Sequence, residues 1–288
     1  MKKRFLLFLT FTAISFAVLS CALFQSLNDP AAFTKNLIDT AAPIAKAAEP
    51  IETKEEYYIG REVAAIILNN YKLYDDKKLE KYLNLICMTL VINSEVPEIY
   101  NGYHVAILDT DEINAFASSG GHILVTRGLL NCADSEEAIA GVLAHELGHI
   151  QLKHGIKAIK ANRFTNAAIE STGNATFGKD TAADMKFLQE ASKAIITTMV
   201  DSGYSKTQEY EADKFAVQLM AKAGYDPAGM CEMLKLMHQR QKNDKRGFGK
   251  THPSADSRIR KVEKTAAKLS GNYNREVRIV RYNNSKAD

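Results

Sequence analysis

The chain has 288 residues, 46% hydrophobic and 25% charged, which is ordinary for a globular protein and enough to bury a real core in one large domain or two small ones. The net charge is +3, and loss of residues 1–20 would remove Lys2, Lys3 and Arg4 and no acid, leaving a mature chain near neutrality. That balance excludes bulk electrostatic attraction to nucleic acid.

The first stretch, "MKKRFLLFLTFTAISFAVLSC", has three basic residues, an apolar run from Phe5 to Leu19, and small Ser20 before Cys21. It reads as a secretory signal, the alternative being a retained anchor with a rather short apolar run. "VLSC" is similar to a bacterial lipobox, although Val18 and Leu19 stand where Leu and a small residue are usual. Cys21 is thus either an acylated N-terminal residue, followed by Ala22 in the manner of outer-membrane sorting, or incidental to ordinary cleavage nearby. Residues 21–52 are Ala-rich with three prolines and are expected to be a linker.

From Thr53 the pattern turns helical. Tyr58, Val63, Ile66, Ile67 and Tyr71 share a face, and Leu79, Leu83, Ile86 and Leu90 form a second stripe. "YHVAILD", "EINAFAS" and "GHILVTRG" are short runs rich in β-branched and aromatic residues, and they predict a small meander sheet. His104 and His122 in these runs are expected to be structural or surface residues. Helical periodicity then resumes, opening with Asp134 three before Glu137 as a capping box. Residues 155–204, with glycines at 173, 178 and 203, suggest a lid. "SKTQEYEADKFAVQLMAKAG", "DPAGMCEMLKLMHQRQ" and "HPSADSRIRKVEKTAAKLS" predict further helices, and "REVRIVRY" a final strand. Cys87, Cys132 and Cys231 are too few and too scattered for a disulfide framework, and Cys87 and Cys231 suit buried apolar positions.

Chemistry concentrates in "GVLAHELGHIQLKH". His145 and His149 are four apart, about 40° round a helix and one turn on, so both imidazoles can reach one point. Glu146 is offset by about 100° and stands beside that point. H-E-x-x-H on a helix supplies two nitrogen donors to zinc and a carboxylate to act as base. The apolar neighbours Val142, Leu143, Leu147 and Ile150 make an incidental cluster of polar groups costly. His154, past the motif, is expected at the surface. A catalytic zinc needs a third protein ligand. Glu209 and Asp213, four apart in "QEYEAD", can face one site while Glu211 points elsewhere, but spacing alone leaves Glu209 open as a surface carboxylate. If Glu209 binds, the set is His₂Glu, and Asp213 would orient an imidazole through its ring N–H.

"HELGH" followed downstream by "EYEAD" resembles the HtpX and CAAX prenyl protease family of zinc metallopeptidases, over roughly residues 55–270. "INAFASSGGHILVTRGLL" is similar to that family's edge-strand segment, and "THPSADSRI" to its T-H-P segment. The resemblance implies a mainly helical α+β, zincin-like domain over residues 53–288, with a three-stranded sheet beside the H-E-x-x-H helix. It implies one zinc per chain, with Glu209 as third ligand and Asp213 and Arg258 behind the ligands. His252 would be a fourth ligand, a donor to the oxyanion, or simply a helix N-terminal residue. Asn114 and Gly121 would shape a substrate edge. No run after residue 21 approaches the 18 apolar residues of a membrane span, which suits the family's secreted, periplasmic branch rather than its membrane-spanning ones. The expected function is zinc-dependent endopeptidase action on misfolded envelope proteins, at the periplasmic face of the outer membrane and anchored by lipid at Cys21. The alternative is a quality-control or assembly factor that mainly binds its clients.

Overall fold

The computed structural model describes residues 50–160, 189, 192–197, 203–240, 251–252, 255–269 and 271–285. The elements fall in one unit, residues 50–159 and 178–288. The signal, the linker up to residue 49 and most of the expected lid lie outside the described residues.

Helix α1 (Thr53–Leu68) starts from a reciprocal cap in which the Glu52 N–H donates to the Glu55 side chain at 2.9 Å. Helix α2 (Lys77–Val91) is capped by Asp76, which accepts from the Leu79 N–H at 2.8 Å. Leu79, Leu83, Ile86 and Leu90 form its buried stripe, as the periodicity predicts.

Strands β1 (His104–Leu108), β2 (Ala115–Ser118) and β3 (His122–Thr126) make one sheet in the order β1–β3–β2. This is not the expected meander. β2 and β3 form the hairpin, with Ala115 opposite Val125, but β1 lies parallel to β3, with His104 opposite His122. The reason lies in the loop after β1. Arg127 pairs with Asp109 at 3.0 Å and Asp111 at 2.9 Å, and the Gly128 N–H donates to the Thr110 carbonyl at 2.9 Å. Those contacts carry the chain across the end of β3, so that β2 starts on its far side.

Alternate strand residues serve two cores. Val105, Ile107, Ala115, Ala117, Ile123 and Val125 face α2 and the later helices. Leu108, Phe116 and Leu124 face α1. Cys87, Cys132 and Cys231 are buried free thiols.

After short α3 (Arg127–Cys132) comes α4 (Glu136–Gln151), whose residues from Glu136 to His149 are all buried. Its N-cap is Ser135, accepting from the Ala138 N–H at 3.2 Å, rather than the expected Asp134. Ser135 has the extended backbone that a cap requires. Helices α5 (Lys206–Lys222) and α6 (Ala228–Arg240) pack on α4, and α7 (Ala255–Ala266) packs on α5 and α6. A Cβ on Gly148 would lie 3.1 Å from the Ala212 Cα, so the glycine lets the α4 and α5 backbones come close. That approach sets Glu209 and Asp213 against the two histidines.

The final segment is helix α8 (Arg275–Ser285), not a strand. Its β-branched residues suggested a strand, but its arginines recur every third position, which is the spacing of a helix face. Arg275 reaches Glu232 and Asp226, Arg278 reaches Glu137, and Arg281 reaches Glu136, while Val277 and Val280 remain exposed. The fold is mainly helical α+β with one small sheet, as expected.

Candidate metal centre

Four side chains from three parts of the chain converge. His145 and His149 come from α4, Glu209 from the first turn of α5, and His252 from the segment before α7. Each offers one ligand atom, all within 4.8 Å of one another, and all four residues are buried. The two Nε2 atoms of His145 and His149 are 3.0 Å apart, and Glu209 Oε1 is 3.5 Å from His149 Nε2. His252 Nδ1 lies 3.0 Å from Glu209 Oε1 and 3.3 Å from His145 Nε2.

Asp213 and Arg258 stand behind this cluster. Asp213 Oδ1 accepts from His145 Nδ1 at 3.0 Å, which leaves the lone pair of His145 on Nε2, pointing into the cluster. Arg258 clasps Asp213 through Nε at 2.8 Å and Nη2 at 2.7 Å, and its Nη1 lies 2.6 Å from Glu209 Oε2. Burial alone would raise the Asp213 pKa, but the Arg258 guanidinium holds it well below the usual carboxylate range.

Glu146 is buried, and neither of its oxygens has a hydrogen-bond partner among the described residues. His252 Nε2 lies 3.6 Å from its Oε1. Burial pushes its pKa up to about 7, and burial likewise raises Glu209 to about 7. Burial drives the imidazoles the other way, His252 to about 4 and His149 well below its usual value, so they are neutral and ready to donate lone pairs. Neutral imidazoles with facing nitrogens, an anionic partner and an unpartnered carboxylate fit a dication of the zinc type.

Asn114 sits at the site, its Oδ1 accepting from the Thr251 hydroxyl at 3.1 Å. The carbonyl of neighbouring Ala115 accepts from the His252 ring. Gly121 is at the other end of β2 and β3, where φ is +89° and a Cβ would lie 2.4 Å from the Gly102 oxygen; its role there is the turn.

Two residues near the ligands escaped the sequence reading. His154 is buried, not at the surface, with Nδ1 2.9 Å from His149 Nδ1. Its spacing carried no signal, because the chain turns at Lys153, with φ of 56°, between His149 and His154. Tyr204 stacks on His149 with ring centroids 3.9 Å apart, and nothing local marked it.

Residues 77–266, most of the chain, match the family described as Peptidase family M48. The chain belongs to that family. M48 membership bears out the resemblance seen in "HELGH" and "EYEAD", and the cluster is a buried His-His-Glu-His group that could hold one metal ion, the zinc that this family of metallopeptidases uses. The chain is similar to the beta-barrel assembly-enhancing protease of Escherichia coli (strain K12), 27% identical over 220 residues that cover 74% of this chain and 44% of that protein. It is similar to metalloprotease LoiP of the same strain, 27% identical over 153 residues, 52% of this chain and 58% of that one. It is similar also to mitochondrial metalloendopeptidase OMA1 of Schizosaccharomyces pombe, 29% identical over 152 residues, 52% of this chain and 42% of that one. The chain spans about half the length of the curated relatives it matches. Among the described residues of this M48 chain, no helix is long and apolar enough to cross a membrane.

Proposed function

We propose that the chain is an endopeptidase that cleaves unfolded or misfolded proteins of the bacterial cell envelope. His145, His149 and Glu209 hold its zinc, and Glu146 is its general base. The observation that carries this reading is the buried Glu146 carboxylate beside the convergent ligand atoms, without a hydrogen-bond partner among the described residues. When bound, zinc polarises the scissile carbonyl and makes water nucleophilic near neutral pH. Glu146 takes the proton of the attacking water on a carboxylate oxygen and passes it to the leaving amine, so bond breaking releases a neutral amine rather than an anion. Asp213 fixes the His145 ring, and Arg258 holds Asp213 and Glu209 in place.

β2 is an edge strand of the sheet, and its first residue contacts His252. An extended substrate adding to that edge would run past Glu146, with Asn114 shaping the entry. His252 lies against both Glu209 and Glu146, close enough to serve as a fourth ligand in a latent state or as a donor to the developing oxyanion. Residues 1–20 serve as the signal and residues 53–288 as the peptidase domain. The chain sits at the periplasmic face of the outer membrane, held by lipid at Cys21. One relative is named for enhancing assembly as well as for proteolysis, and that motivates a second reading in which client binding matters alongside cleavage.

The test is zinc content and cleavage of unfolded casein by the purified chain. The expected result is one zinc per chain, with cleavage lost at least 100-fold in Glu146→Gln while its zinc is retained. Zinc without cleavage in the wild type, relieved in His252→Ala, would identify latency. Cleavage surviving in Glu146→Gln would sink the assignment of the base. A Glu146→Gln chain that still rescues a deletion strain would favour the binding reading.

A further inference from the structure

His154 and Glu211 are not explained by the ligand set, yet they form a chain behind it. His154 is fully buried, while the Glu211 side chain is 48% exposed. His154 Nε2 lies 3.1 Å from Glu211 Oε2, and His154 Nδ1 lies 2.9 Å from His149 Nδ1. The His149 and His154 rings meet edge-on, with centroids 4.9 Å apart. Lys153 holds the left-handed backbone at the turn that brings His154 back onto α4.

The protons in this chain can be arranged in only one way. A carboxylate only accepts, so His154 Nε2 must carry the hydrogen toward Glu211. A neutral imidazole has one N–H, so His154 Nδ1 is then an acceptor. It can accept only if His149 Nδ1 carries a hydrogen. The lone pair of His149 is thereby confined to Nε2, the atom that faces His145 Nε2 at 3.0 Å. Asp213 does the same for His145 directly, from 3.0 Å. One ligand is oriented by a carboxylate in contact, the other by a carboxylate acting through an intervening ring.

We propose that His154, held by Glu211, is the positioning residue that sets the tautomer and ring orientation of His149 as a zinc ligand. This rests on the reading of His149 as a ligand. Outer partners of metal-bound histidines change metal affinity by about 10- to 100-fold.

The experiment is a zinc dissociation constant for the full chain, read by competition with a chromophoric chelator and paired with thermal midpoints of the zinc-free and zinc-loaded forms. His154→Ala is expected to weaken zinc about 10- to 100-fold. His154→Asn, whose Oδ1 stands close to where Nδ1 was, is expected to recover most of that loss. Glu211→Ala, which leaves the buried ring in place, is expected to weaken zinc in the same direction by less. Proton NMR of the wild type should show a slowly exchanging imidazole N–H from His149 that disappears in His154→Ala. If His154→Ala binds zinc within twofold of wild type, the positioning role is wrong. The same follows if His154→Asn is as weak as His154→Ala, with both lowering the zinc-free midpoint equally, since that marks a packing role. If His154→Ala does not fold, an unchanged affinity in Glu211→Ala overturns the proposal. A wild-type chain that binds no zinc overturns the metal centre itself, and this role with it.

Discussion

At the scale of single residues, the site is organised by one buried cation. Arg258 is fully buried and serves Asp213 and Glu209 together. A planar fork can do this and a point charge cannot. Arg258→Met would leave two buried carboxylates without their cation, and should cost about 3–5 kcal/mol in denaturant unfolding of the zinc-free chain. On the proposed mechanism, Glu146 sets the pH dependence. It must be ionised to accept a proton, so kcat/KM should fall as pH drops through its pKa. Burial raises that pKa toward about 7 from the ordinary 4.5, and a neighbouring dication pulls the other way, so the acidic limb should lie between those values. A profile that stays flat to below the ordinary carboxylate value would remove Glu146 as the titrating base.

At the scale of elements, α4 is the member on which the others converge. Its first turn carries two buried glutamates, Glu136 and Glu137, favoured there by the helix dipole. Burying them requires partners, and α8 brings Arg281 and Arg278. Tyr225 also donates to Glu136, at 3.0 Å. Arg281→Ala should therefore cost about 1.5–3 kcal/mol, the worth of a hydrogen-bonded charge at a buried acceptor. A change on the outer face, such as Val277→Glu, should shift stability by less than about 0.5 kcal/mol. Urea unfolding of the two variants separates the faces, and equal costs would mean that α8 is not docked through its arginines. The strand expected over "REVRIVRY" fails for this reason: local β propensity is worth less than the ion pairs made by three arginines on one helix face.

At the scale of the whole molecule, a metal would tie together α4, α5 and the segment that carries His252. Those parts are distant in sequence, so binding zinc is also a stability term. Free zinc at about 100 times the dissociation constant should add about 2.7 kcal/mol, which raises the thermal midpoint by roughly 5–10 °C for a domain of this size. A chelator should reverse the shift, and His145→Ala should abolish it. A shift that survives in His145→Ala would point to zinc bound elsewhere.

The helices with strong stripes and the H-E-x-x-H geometry were legible because they depend on residues one turn apart, where helical periodicity alone fixes which side chains are neighbours. So were buried Cys87 and Cys231 and the presence of a three-strand segment. Glu209 became visible only through the resemblance, since its spacing within α5 says nothing of what α5 packs against. Strand order, the α8 clasp, and the places of His154 and Tyr204 were decided by the tertiary structure. Each depends on contacts across long stretches of chain: Arg127 with the β1–β2 loop, Arg281 with Glu136, and a left-handed turn at Lys153 that returns His154 to the helix it had left. Local pattern encodes which groups a helix presents; only packing decides which groups from elsewhere come to meet them.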